Sequence, residues 1–168
     1  MLTTTTGPLL TERLVQTDEP ATTTLPVATS TTMRTVLRAP VLANPGDILD
    51  VTARMQVTND TGKNVGAGWH LWVYDIDLQP AIPVAKRPWT QIAPWTADNV
   101  DPTRHHMPMI TDALWEVPPD WPAGHRAMVV LQAAAFRTTP LPGETLRVDQ
   151  AYCLLTIRRL TPAPAPGS

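Results

Sequence analysis

Four histidines, His70, His105, His106 and His125, together with Asp75, Asp77, Asp98 and Asp101, are the side chains of this sequence suited to binding a metal ion or moving a proton. A zinc site asks for three or four ligands at motif spacing, such as HExxH or paired CxxC, and neither pattern occurs. His105 and His106 are adjacent, so on a strand they would point to opposite faces instead of sharing an ion. All four are therefore expected as surface or hydrogen-bonded histidines. Residues 98–101 offer oxygens to a hard cation, but too few, and they read as an Asx turn. Ser30 and Ser168 are the only serines, one near each end, so a Ser-His-Asp hydrolase is set aside. Cys153 is the single cysteine; with Tyr152, Leu154 and Leu155 around it, it is expected as a buried small hydrophobe, neither a disulfide partner nor a nucleophile. No cofactor and no catalysis are expected.

The six tryptophans, at 69, 72, 89, 95, 115 and 121, are the other chemically distinctive set. Trp89, Trp95 and Trp121 fall in proline-rich stretches, where exposed aromatic faces could stack on sugar rings. The alternative, which the proline neighbours favour, is that they anchor long loops or fill a subunit interface.

Strands must position these residues. The clearest is 47–58, where Leu49, Val51, Ala53, Met55 and Val57 share one face and polar residues the other, a period of two. Residues 33–38 alternate before it, and the turn Asn59-Asp-Thr-Gly62 leads to 65–75, which is apolar on both faces and reads as a central strand. From 78 to 108, prolines at 80, 83, 88, 94, 102 and 108 predict a long connection with only short edge pieces such as 81–85. The alternation resumes over 109–117, 125–137 and 145–160, the last a single long strand. Seven to nine strands with hardly any helical periodicity predict an all-β fold: one antiparallel, jelly-roll-like β-sandwich spanning 33–160. A Rossmann, P-loop or TIM-barrel fold is excluded because no helices alternate with the strands.

A length of 168 residues suits one domain, and a formal charge of −2 with scattered Lys and Arg carries no footprint for nucleic acid. The N-terminus lacks the basic and apolar regions of a signal peptide, and the longest apolar stretch, 127–136, is far short of a membrane-spanning helix. A soluble protein made in the cytoplasm, without membrane partners, is expected. Frequent Ala, Arg, Thr and Pro in place of Lys, Ile and Phe point to a GC-rich coding sequence, that of a high-GC bacterium or its virus.

Residues 1–32 are rich in Thr and Pro, and their apolar residues come as separated pairs: Leu9 and Leu10, Leu14 and Val15, Leu25 and Val27. Such pairs cannot surround one another, so this stretch is expected to be an extended arm that orders against a partner. Residues 161–168, Thr-Pro-Ala-Pro-Ala-Pro-Gly-Ser, are expected as a disordered, solvated tail.

Three stretches, Asn59-Asp-Thr-Gly-Lys-Asn-Val-Gly-Ala-Gly-Trp-His-Leu71, Asn99-Val-Asp-Pro-Thr-Arg-His-His-Met-Pro108 and Gly143-Glu-Thr-Leu-Arg-Val-Asp-Gln150, resemble small β-sandwich virion proteins of tailed phages of actinobacteria. The likeness of style extends over about 34–160. It implies a capsid decoration protein, or a head- or tail-attached fibre: a non-enzymatic, often trimeric body on the virion surface. Such a body is assembled in the host cytoplasm and gripped through a terminal arm to the major capsid protein or other virion subunits. The runner-up is a carbohydrate- or receptor-binding module using Trp89, Trp95 and Trp121. A cupin-type enzyme, the third option, needs metal-binding histidines and glutamates clustered on strands.

Overall fold

Proline placement sorts the strands of this fold into edge and centre. In the computed structural model, which describes residues 13–15, 22–29, 32–78, 88–102, 106–149 and 152–162, ten strands form. They are β1 (Arg13–Val15), β2 (Thr22–Ala28), β3 (Arg34–Leu42), β4 (Ile48–Asn59), β5 (Val65–Asp75), β6 (Thr90–Val100), β7 (Met107–Glu116), β8 (Arg126–Phe136), β9 (Thr145–Asp149) and β10 (Leu154–Leu160). Proline cannot donate to a ladder, so it belongs where one side of a strand is unpaired. Pro40, Pro94 and Pro108 lie in β3, β6 and β7, each paired with one strand among the described residues, whereas β4, β5 and β8, paired on both sides, contain none.

The pairings nest: β5 with β6, β4 with β7, β3 with β8 and β2 with β9, all antiparallel. A long hairpin whose tip lies between β5 and β6 has thus wrapped into two layers, the jelly-roll topology. One layer runs β3-β8-β5-β6; the other runs β7-β4-β10-β1, with β9 and β2 continuing it beside the end of β4. Strand β2 belongs to both layers, since Thr22–Pro26 pairs with β9 while Val27 and Ala28 run parallel to Ala135 and Phe136 of β8. Such layer-switching strands make the corners of sandwiches. Between the layers lies one core, built from Leu49, Val51, Met55 and Val57 of β4, Leu71 and Val73 of β5, and Val129 and Leu131 of β8 among others.

Three features differ from the expectations. The first is the arm: β2 is an integral strand, and Leu25, at 1% exposure, and Val27 sit in the core, so they do not serve a partner. Leu14 and Val15 belong to β1, paired in register with Ile157 and Thr156 of β10, while Leu9 and Leu10 lie outside the described residues. The sandwich therefore does not begin at residue 33. The second is β6, an eleven-residue strand where only short pieces were expected; it carries Pro94 because it is an edge, with register shifts on β5 between Val65 and Ala67 and between Leu71 and Trp72. Residues 98–100 are the end of that strand and not an Asx turn, and 81–85 lie outside the described residues. The third is the final long strand, which is two, broken between β9 and β10. Of the expected tail, residues 163–168 lie outside the described residues.

The turn after β4 is held by buried Asn59. Its Nδ2 donates to the carbonyls of Lys63 and Val100, both at 2.7 Å, and its Oδ1 accepts from the Thr61 amide and hydroxyl. Gly62 closes the turn at a φ of 71°, which L side chains rarely adopt. Replacing Asn59 by Ala strands these groups at the hinge between the layers. The expected cost is about 2–3 kcal/mol, measured as a lower urea midpoint at unchanged m-value.

Candidate interface and aromatic cleft

Among the described residues, His125 and His106 each pair with a different aspartate. His125 Nδ1 lies 2.8 Å from Asp75 Oδ2, and Asp75 Oδ1 accepts from the amides of Asp77 and Leu78, so this pair fastens the end of β5 to the start of β8. Arg126 hydrogen-bonds the Asp77 carboxylate and holds it down to about 2. His106 takes a φ of 55°, with Nδ1 2.9 Å from Asp149 Oδ2 and its ring edge-on to Tyr152. His70 leans towards Trp72, and burial lowers its pKa, favouring the neutral ring. His105 and the Asp98 side chain lie outside the described residues, and Asp101 follows β6. Among the described residues no three His, Cys, Asp or Glu side chains gather as a metal site would require. Cys153 is buried in the break between β9 and β10, its thiol donating to the Asp149 carbonyl at 3.4 Å, and desolvation pushes its pKa up. A thiol kept protonated and covered is a poor nucleophile.

The three loop tryptophans separate. Trp89 stacks on Tyr74, with ring centroids 4.6 Å apart, and meets Trp72 edge-on, covering the outer face of β5. Trp121 meets Trp115 edge to face at 5.5 Å. Trp95 lies within β6, not in a loop, and is 52% exposed. Five strand residues separate it from Thr90, about 17 Å, so it stands apart from the other two.

The open surface is the outer face of β7, β4 and β10. Register sets its rows: Ile110, Arg54 and Leu154; Asp112, Thr52 and Thr156; Leu114, Asp50 and Arg158; Glu116, Ile48 and Leu160. Ile110 is 54% exposed and Leu114 73%, next to a shallow groove of about 410 Å3 along Thr52, Arg54, Leu154, Thr156 and Arg158. Acidic residues, Asp112 and Glu116, line the β7 edge of this face, and Arg54 and Arg158 stand on the inner strands, Arg158 bonded to Asp50. Large exposed apolar side chains set among charged and hydroxyl side chains are a combination that a protein partner can cover. Sequence reading missed Ile110 and Leu114. The available signal was that β7 is apolar in both phases, with Met109 buried and Trp115 partly buried on the core side, although only one side can face the core.

A second concavity, a cleft of about 300 Å3, opens where β5 ends and β6 begins; Tyr74, Trp115, Pro118 and Trp121 line it with Asp75 and Asp120.

No protein-family model matches the chain, and no characterised protein matches it by sequence. Solved structures do match in fold. A chain of infectious bursal disease virus, strain Gx, superposes with a TM-score of 0.54 at 8% identity, over 95% of this chain and 33% of the viral one. A chain of the infectious bursal disease virus VP2 subviral particle gives 0.50 at 9% identity, over 92% and 37%. This chain thus spans about a third of the length of the viral chains it matches. What this chain shares with them is the fold alone, a jelly roll.

Proposed function

We propose that the chain is a non-enzymatic structural subunit of a virus particle, and within that role a decoration protein on the capsid surface of a tailed phage. Its partners are the major capsid protein or neighbouring virion subunits, and its own assembly is a homo-oligomer, with a trimer favoured. The observation that carries this reading is the outer face of β7, β4 and β10, where Ile110 and Leu114 are exposed on a paired sheet. The likeness to chains of virus particles supports the same class of role. Jelly rolls also serve lectins and cupins, so the fold by itself does not choose among roles and the exposed face weighs more. Shell attachment repeats one modest contact many times by symmetry, and multivalency makes such contacts hold. With Leu25 and Val27 in the core, this face replaces the second half of the expected arm as the attachment element.

The test is a double substitution, Ile110→Ser with Leu114→Ser. Both side chains are largely exposed, so folding stability is expected to move by no more than about 0.5 kcal/mol per site. Co-sedimentation with purified particles should be lost while the circular dichroism spectrum is kept. Co-sedimentation equal to that of the unsubstituted chain would overturn the assignment.

A further inference from the structure

A strand with one free side exposes a row of amides and carbonyls, which proteins ordinarily blunt with proline, charge or a bulge. At the margins of one layer, β3 carries Pro40 and a register shift between Thr35 and Leu37, and β6 carries Pro94 and two register shifts. Strand β7 differs. Its ten residues keep unbroken register with β4, its only proline is Pro108 beside its start, and no other described strand pairs with it. The charges it carries, Asp112 and Glu116, are exposed, alternate with Ile110 and Leu114 on the outer face, and make no ion pair among the described residues. Arg54 and Arg158 stand on the inner strands, so the free margin itself is acidic. On the core side β7 is incompletely covered. Ala113 and Trp115 are only partly buried, and Trp95 of β6, which approaches β7 across the layers, is half exposed although its partner in register, Trp69, is a core residue.

We propose that an extended segment of the partner subunit adds to the free edge of β7 as the next strand of this layer, bringing basic side chains opposite Asp112 and Glu116. Strand addition supplies ladder hydrogen bonds for affinity and leaves the side-chain pairs across the strands to choose the partner. Directly opposed residues share a face, so the segment's outward row reads apolar, basic, apolar, basic against Ile110, Asp112, Leu114 and Glu116. Its inward side chains are apolar and extend the core past Ala113 and Trp115. A second copy's β7 is a poor occupant. The strand holds no Lys, Arg or His, so pairing it with itself sets no cation opposite either acid, and some registers set acid against acid. The inference rests on the reading of this chain as an attached virion subunit and names the chemistry by which the partner is held.

The experiment measures amide hydrogen exchange by mass spectrometry in the full chain, free and bound to purified particles. An antiparallel strand with one partner turns alternate amides away from it, so in the free chain about half of the amides of 107–116 are expected to exchange fast. On particles these amides are expected to slow about tenfold or more, while those of β3 are unchanged. Asp112→Lys with Glu116→Lys, both at exposed positions, should keep the fold and weaken particle binding about tenfold. A bound chain whose β7 amides exchange as in the free chain would overturn the inference and leave the proposed attachment standing, since the outer face alone would then make the contact. No binding to particles would overturn the attachment itself, and the inference with it. Protection of β7 that rises with protein concentration in the absence of particles would assign the edge to a second copy and overturn the inference. So would undiminished particle binding of the double variant, because the added segment would then not be basic.

Discussion

A chain lacking residues 1–32 is expected to lose cooperative folding, whereas one lacking residues 1–12, which keeps every described strand, is expected to keep it. The longer deletion removes β2, and with it a five-residue ladder to β9 and the parallel contact with β8 that joins the two layers at their corner. It also empties the core positions of Leu25 and Val27. Burying each such side chain is worth about 1.5–3 kcal/mol, and the cavity left behind adds to the loss. Against a total stability of about 5–15 kcal/mol, losing both side chains and a strand leaves little or nothing. Thermal unfolding followed by circular dichroism checks this. A sharp transition in the 1–32 deletion would show that β2 is dispensable and restore an arm that begins at residue 1.

The second large effect is expected at Asp47. This carboxylate is 1% exposed, and its Oδ2 accepts from the Asn44 amide at 2.8 Å and from Arg159 Nε at 2.7 Å. Its backbone continues the tie, since the Asp47 carbonyl accepts from the Val117 amide and Gly46, at a φ of 80°, donates to the Val117 carbonyl. One residue therefore joins the turn between β3 and β4, the end of β7 and the end of β10. Asp47→Ala leaves the mostly buried Arg159 guanidinium without its counter-charge, and removing one partner of a buried ion pair costs about 3–5 kcal/mol. The double variant Asp47→Ala with Arg159→Met removes the stranded charge as well and is expected to recover much of that loss. Chemical denaturation of the two variants measures the difference. Equal destabilisation would assign the effect to the turn and not to the ion pair.

Much of the sandwich could be read directly, because a strand with one dry face writes a period of two into the chain. Residues 47–58, 65–75 and 125–137 became β4, β5 and β8, and the turn from Asn59 to Gly62 fell where left-handed backbone was available. Proline also carried information, but more than was taken from it. It marked 90–100 as an edge and was read as the absence of a strand. The break between β9 and β10 had no such mark, since the alternation continues on either side of Cys153. The candidate interface was half legible: Ile110 and Leu114 stand in the sequence as the wrong phase of an amphipathic strand.

Composition and alternation alone settled that this is an all-β domain and which side of β4 is dry. These are local properties, set by side-chain direction along an extended backbone. Which strands are neighbours was decided by tertiary structure. Leu25 finds Leu146, near the other end of the chain, and no local pattern in a threonine-rich stretch with isolated leucines announces a partner so distant. The same holds for the exposed face of β7, β4 and β10, whose rows exist only once three distant segments lie side by side. Burial is a property of the assembled layers, so a residue that looks spare in the sequence can be a core residue in the fold, as Leu25 is.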